Sequence, residues 1–244
     1  MSEAVRTALV TGGARRVGRA IVQRLLEAGF DVAFTYLRSD EGAAAIAADA
    51  RRLGREALAL RTDLRRTASA VERIGNAVER RFDRLDVLVN NASIYQPGPL
   101  QQVTSRQVRE MFAIHVEAPL LLCRRLERML RRSSGHVINM VDIMAARPRP
   151  EYLAYCASKA ALANLTAGLA RALAPEVTVN GIAPGVVEWP EGCTEQQRRS
   201  YLEHVPLKRA GTPRDVAELV LFLCTAGRYI SGQVIALDGG RSIA

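Results

Sequence analysis

No apolar run in this chain of 244 residues approaches the length of a membrane span, which excludes a helical membrane protein. The stretch from Met1 to Thr7 carries Glu3 and Arg6 and lacks the apolar segment of a secretory leader, so the cytoplasm is the expected location. Also missing is any Pro/Gly/Ser-rich linker or break in composition. With 48% hydrophobic residues the chain can build one sizeable core, and a single domain over residues 1–244 is expected. The four cysteines, Cys123, Cys156, Cys193 and Cys224, form no Cys-x-x-Cys pair and no Cys/His cluster. They read as buried thiols in a reducing compartment, with no metal. A net charge of +9 raises the question of nucleic acid, but the arginine pairs at 15–16, 51–52, 65–66, 80–81, 124–125, 131–132 and 198–199 fall on separate elements. A nucleic-acid footprint needs its charge gathered on one face, so no such partner is expected.

What is present is an alternation of short apolar runs and amphipathic stretches. Thr7 to Thr11 reads as a buried strand; Gly12-Gly13-Ala14-Arg15-Arg16-Val17-Gly18 follows directly, then a helix carrying Ile21, Val22, Leu25 and Leu26. Strand, tight glycine turn and helix together offer backbone N–H groups and a positive helix end to a pyrophosphate. Asp31 to Tyr36 reads as the second strand and runs into Arg38 and Ser39. A carboxylate at that strand end grips the ribose 2′-hydroxyl of NAD, whereas cations and hydroxyls suit a 2′-phosphate. Arg38 and Ser39, with Arg15, therefore point to NADPH; solvated arginines near Asp40 are the plain alternative.

Helix (41–53), strand (57–60), helix (68–81) and strand (86–90) continue the alternation, which specifies an α/β fold with a parallel sheet and helices on both faces. Asp63 and the turn Asn90-Asn91-Ala92-Ser93 lie at the carboxyl edge, where ligands of such sheets bind; Asn91 either meets the ligand or caps its turn. A long helix over 105–132 follows, then a strand from His136 to Val141. Thr178 to Ala183 is a further strand leading into Pro184-Gly185. Residues 186–205, with Trp189, Pro190 and Gly192, read as a substrate-covering segment, before a helix from Pro213 to Cys224 and a last strand, Val234 to Leu237.

The chemistry centres on 136–173. The strand His136 to Val141 ends on a carboxylate, Asp142, and an alanine-dense helix begins near Tyr152. Tyr155 and Lys159, four apart, share one face of that helix. An ammonium beside a phenol stabilises phenolate, so the expectation is a Tyr155 pKa drawn down toward working pH, with surface lysine beside core tyrosine as the bland alternative.

In order and approximate spacing, Thr11-Gly12 through Gly18, Asn90-Asn91-Ala92, Tyr155-x-x-x-Lys159 and Asn180-x-x-x-Pro184-Gly185 resemble the short-chain dehydrogenase/reductase family over nearly the whole chain. The resemblance implies a single-domain, Rossmann-type doubly wound sheet of seven strands and commonly a homotetramer built partly on the Tyr155 helix. It also implies Tyr155 as proton donor and Lys159 as holder of the nicotinamide ribose. Around NADPH it places Gly12, Arg15, Arg16, Val17, Gly18, Arg38, Ser39, Asp63, Leu64, Asn91, Ala92, Ser93, Pro184, Gly185 and Val187.

Three departures are similar to the pteridine reductases, including the dihydromonapterin reductases: Arg16 in place of the turn's middle glycine, Asp142 in place of a serine, and His115 where a helix asparagine is expected. Asp142 also makes chemical sense alone. An ionised carboxylate repels a ketone oxygen but suits a substrate with N–H donors or a ring nitrogen awaiting a proton, and pterins have both. The expected site has Asp142, Tyr155 and Lys159 at the reaction and Arg16 and Ser93 on the polar edge of the ring. Tyr95 stacks on its face or packs only against its own loop, and His115 is a buried hydrogen-bonder. Competing expectations are a carbonyl reductase, such as a 3-oxoacyl thioester reductase, and a non-catalytic NADPH-binding sensor.

Overall fold

The computed structural model describes residues 5–190 and 192–244. Seven short runs rich in Val, Ile, Leu and Ala form one parallel sheet in the order β3-β2-β1-β4-β5-β6-β7, which is the architecture expected. They are β1 (Thr7–Val10), β2 (Asp31–Tyr36), β3 (Ala57–Arg61), β4 (Val87–Asn90), β5 (His136–Met140), β6 (Thr178–Pro184) and β7 (Val234–Leu237). Strands β1, β4 and β5 are buried along their whole length, which explains why they read as continuous apolar runs rather than alternating ones. Val10 is flanked by Phe34 on one side and Val89 on the other. The strand order reverses between β1 and β4, so a crevice opens there at the carboxyl edge.

The helices cover both faces. On one lie α1 (Arg16–Glu27), α2 (Asp40–Arg52) and, later in the chain, a helix over Pro213–Thr225, whose Ile21, Leu25, Ile46 and Val220 bury Phe34. On the other, α3 (Thr67–Arg81) packs with residues of 105–132 and of a helix over Leu153–Leu173, around Leu88, Ile74, Leu122 and Leu169. Truncating any one of these fully buried aliphatic side chains to alanine would cost about 2–5 kcal/mol.

The single helix expected over 105–132 is three pieces: α4 (Ser105–Phe112), one π-helical turn (Ala113–Glu117) and α5 (Ala118–Arg132). Proline explains the break. Pro119 has no N–H to donate to the carbonyl of His115 and its ring crowds that oxygen, so the turn widens just there and His115 points into the interior. Helix α6 (Leu153–Leu173) buries Tyr155, Lys159, Leu162, Thr166 and Leu169 along one side.

The segment 186–205 departs from its reading as pure cover. It holds a helix, α7 (Glu195–Glu203), started by a reciprocal capping box between Thr194 and Gln197, and it ends on Val205, which is fully buried. Glu191 lies outside the described residues. The last helix, α8 (Pro213–Thr225), starts with Pro213 and a second capping box, Thr212 with Asp215. Cys123, Cys156 and Cys224 are buried free thiols as expected, but Cys193 is half-buried in the loop before α7, where no sheet covers it. No described helix is long and apolar enough to cross a membrane.

Candidate active site

The glycine turn after β1 is packed too closely for side chains at its glycines. Gly12 has φ +66°, and a Cβ on Gly18 would sit 2.1 Å from the Gly12 carbonyl oxygen and 2.6 Å from the Asn91 amide nitrogen. Asn91 donates from Nδ2 to the carbonyls of Thr11 (2.9 Å) and Gly12 (3.1 Å), while the backbone N–H groups of Asn91 and Ala92 donate to Thr11 Oγ1. The side chain of Asn91 is thereby committed to the turn. Of the two roles the sequence allowed for Asn91, capping its turn is the one these hydrogen bonds display. No side chain caps the amino end of α1, which leaves its first N–H groups facing the crevice for an anion.

At the end of β2, Arg38 is exposed, and neither it nor Arg15 forms an ion pair among the described residues. Asp40, the residue that argued against a phosphate here, lies 4.0 Å from Arg61 instead. Ser39 donates to the carbonyl of Ala14 at 3.5 Å, tying this strand end to the glycine turn. Asp63 is engaged by Arg65 at 2.7 Å, and Leu64 beside it is buried. A tight glycine turn, an uncapped helix end and two arginines without ion pairs among the described residues fit a dinucleotide bearing an extra phosphate on its adenosine ribose.

Asp142 follows β5 and uses its two carboxylate oxygens differently. Oδ1 accepts from the Met144 N–H at 2.8 Å and caps a 3-10 turn (Ile143–Ala145); Oδ2 accepts the hydroxyl of Tyr155 at 2.8 Å. It is at once a cap and a partner of the proton donor. Burial pushes the Asp142 carboxyl above its ordinary pKa, against the pull of these hydrogen bonds. Lys159, buried beneath, donates to the Met140 carbonyl at 2.7 Å and lies 5.7 Å from the centre of the Tyr155 ring. Burial lowers its pKa to about 8.

The expected direction of the Tyr155 pKa is overturned. Burial first, then the Asp142 charge and hydrogen bond, push the phenol well above its usual value. Burial, with the Asp142 carboxylate in direct contact, favours the neutral phenol, which donates its hydroxyl to that carboxylate.

His115 ties the substrate side of the crevice to α6. Its Nδ1 is 2.7 Å from Ser158 Oγ, and its Nε2 is 2.9 Å from Ser93 Oγ and 3.3 Å from the Ile94 nitrogen. Ser158 gives its own proton to the Tyr155 carbonyl at 2.7 Å, so Nδ1–H must donate to Ser158, leaving Nε2 to accept. Burial and the nearby Lys159 hold the imidazole well below its ordinary pKa, which keeps it neutral. Ser93, with its proton directed to His115, presents lone pairs to the pocket.

Residues 12–242 match a family model described as enoyl-(acyl carrier protein) reductase. The chain is 33% identical to a 3-oxoacyl-(acyl-carrier-protein) reductase, FabG, of Staphylococcus epidermidis, over 96% of this chain and 98% of that one. The chain belongs to the short-chain dehydrogenase/reductase family. It is also 35% identical to a dihydromonapterin reductase of Klebsiella pneumoniae, over 98% of this chain and 97% of the relative. Among solved structures it superposes on FolM alternative dihydrofolate reductase 1 from Brucella canis, complexed with NADP, with a TM-score of 0.90 and 34% identity, covering 98% of this chain and 94% of that one. As a member of this family the chain is an oxidoreductase that takes a nicotinamide dinucleotide; the relatives differ in substrate.

Within this short-chain dehydrogenase/reductase, the two side chains expected on the ring, Arg16 and Tyr95, also engage protein partners. Arg16 occupies the left-handed region, φ +51°, the backbone a glycine would adopt, and its guanidinium reaches Glu188 at 3.0 Å across the mouth of the crevice. Tyr95 stacks on Tyr152, with centroids 4.5 Å apart, and meets Tyr155 edge-on at 5.0 Å. Its other face is open, since the residue is 45% exposed. Tyr152, Ser158 and Glu188 were missed in the sequence: Tyr152 had a weak signal in its nearness to Tyr155, and Glu188 had none. Asn180, part of the family pattern, links β6 to the loop before β7 through Ile230 and Gln233 and takes no part in the pocket. Gly185 closes on the Tyr201 hydroxyl, and Val187 packs into the core behind it.

Proposed function

We propose that this enzyme reduces a dihydropterin with NADPH, adding hydride to the carbon and a proton to the nitrogen of a ring C=N bond. The observation that carries the reading is the buried hydrogen bond between Tyr155 and Asp142. A pocket for a ketone needs donors around an oxygen; this one pairs its proton donor with a carboxyl that accepts N–H groups when ionised and supplies a proton when not.

The cofactor is NADPH. Gly12, Arg15, Val17 and Gly18 would hold its pyrophosphate, Arg38 and Ser39 its 2′-phosphate, Asp63 and Leu64 its adenine, and Ala92, Lys159, Pro184, Gly185 and Val187 its nicotinamide half. When bound it supplies the hydride. Tyr155 releases its hydroxyl proton to the ring nitrogen, and Asp142, whose pKa burial raises, relays a replacement proton from water to Tyr155, so no phenolate is left beside a carboxylate. Lys159 opposes negative charge developing on the pair. Ser93 accepts from the polar edge of the ring, and the open face of Tyr95 is available for stacking.

The second reading, reduction of a 3-oxoacyl thioester, is favoured by the FabG relatives and opposed by Asp142. Following NADPH oxidation with dihydropterins, 3-oxoacyl thioesters and simple ketones side by side separates the two. Turnover of dihydropterins at least about a hundredfold more efficient than of thioesters supports the proposal, and the reverse order overturns it.

A further inference from the structure

The pocket has a second set of side chains that the reduction does not use. Trp189 stands one residue beyond Glu188, Arg198 and Tyr201 lie three apart on one side of α7, and Arg241 comes from the turn after β7. The Trp189 and Tyr201 rings meet edge-to-face, centroids 5.6 Å apart. Each is flanked by a guanidinium: Arg198 lies 5.7 Å from the Trp189 ring and Arg241 5.7 Å from the Tyr201 ring. These elements come from three separate parts of the chain and converge beside the carboxyl end of β6.

Neither arginine side chain has a hydrogen bond or ion pair among the described residues, and the Nε of each is buried with no acceptor. Other partly buried arginines of this protein are matched: Arg24 with Glu218, Arg125 with Glu72 and Glu79, Arg131 with Glu127 and Glu176. A ring face attracts a guanidinium but accepts no in-plane hydrogen bond, so stacking alone leaves two buried N–H donors without partners. An acceptor brought by a ligand satisfies them.

The cluster borders the pocket of the proposed reaction. The Tyr201 hydroxyl accepts the Val186 N–H at 3.0 Å, directly after Pro184-Gly185, and the phenol feels the charges of Arg241, Asp238 and Asp142. We propose that Arg198 and Arg241 form an anion-binding subsite for the substrate's tail, with Trp189 and Tyr201 lining the way to it, so that the preferred dihydropterin carries a carboxylate or phosphate. This rests on the dihydropterin reading above and adds the substrate class within it. Guanidinium forks match either anion in a bidentate manner.

The test compares wild type with the double variant Arg198→Gln/Arg241→Gln and with Arg198→Lys/Arg241→Lys on three substrates sharing one ring. Their tails are a neutral polyol, the same polyol phosphorylated, and the glutamyl carboxylates of dihydrofolate. The glutamine variant is expected to raise KM for one or both anionic substrates at least about tenfold, leaving kcat and the neutral substrate within about twofold; the lysine variant recovers part of the loss. Whichever anionic substrate suffers more identifies the tail. Trp189 is the chain's one tryptophan, so its fluorescence in the NADP⁺-loaded protein gives a second readout: quenching by the anionic substrate that weakens in the glutamine variant. Equal losses on neutral and anionic substrates, or no loss on any, overturn the inference while leaving dihydropterin reduction intact. If wild type turns over no dihydropterin but does reduce a 3-oxoacyl thioester, the functional reading falls and this subsite with it.

Discussion

Tyr155 and Asp142, thirteen residues apart, meet through a 2.8 Å hydrogen bond in which the phenol donates to the carboxylate. The pair is asymmetric. Asp142 is fixed from its other oxygen by the Met144 N–H, and Tyr155 by its place on α6, so neither can swing away to seek a different partner. Burial raises the pKa of both groups, and Lys159, which together with Arg149 supplies the positive charge acting on Asp142, is itself lowered to about 8. Asp142 and Tyr155 resist losing a proton while Lys159 resists keeping one, so burial moves all three toward neutral forms in one small volume.

Replacing Asp142 with Asn keeps the shape and removes the proton source. Turnover of dihydropterin is expected to fall at least about a hundredfold, the usual range for a lost general acid. Stability should move the other way. Because burial raises the folded pKa of Asp142, the folded state holds this proton more tightly than the unfolded one. Stability is therefore lost as pH rises from the ordinary carboxylate range, about 4, through the raised value. Thermal melts should show the Asn variant gaining on wild type at neutral pH and losing that advantage at low pH.

Lys159 predicts opposite slopes for activity and stability in alkali. Its folded pKa, about 8, is below that of an unfolded lysine, so the unfolded state binds more protons between about 8 and 10 and stability rises with pH across that window. The working ammonium is lost over the same range. The kcat/KM of free enzyme should decline above about pH 8 while the melting temperature, corrected for other groups, climbs. A profile flat to about pH 10 would mean Lys159 has no part in turnover.

Arg38 tests the choice of cofactor. Arg38→Asp exchanges the cation for a carboxylate able to grip a ribose hydroxyl and repel a phosphate, so the ratio of kcat/KM for NADPH over NADH should fall at least about tenfold. An unchanged ratio would assign the 2′-phosphate to other residues.

A methyl group at Gly18 would stand 2.1 Å from the Gly12 carbonyl oxygen, a backbone atom that cannot step aside. Gly18→Ala should cost about 1–3 kcal/mol and weaken NADPH binding, followed by cofactor fluorescence, more than it alters the circular dichroism of the sheet. Tight binding with normal stability would show the turn to be looser than its geometry.

Much of this was legible in the chain because parallel, fully buried strands leave unbroken apolar runs and because glycine and proline mark their ends. Asp142, Tyr155 and Lys159 were readable for the same reason: a strand end and a four-residue helical step are local. What escaped was non-local. Arg16 meets Glu188 across 172 residues, and no local pattern announces such a partner. The direction of the Tyr155 shift differs from the expectation because Lys159 is visible as a neighbour in sequence, whereas the burial of the phenol and its contact with Asp142 exist only once β5 and α6 are packed together. The π turn at His115 was readable in principle from Pro119, four residues on, but an amphipathic pattern over 105–132 concealed it.

The most direct test is a crystal structure of the enzyme with NADP⁺ and a dihydropterin. The account predicts the ring stacked on the nicotinamide, with Tyr155 Oη and an Asp142 oxygen each about 3 Å from ring nitrogens. A complex in which the Asp142 carboxyl turns away from the nicotinamide pocket, or in which the ring settles elsewhere, would contradict it.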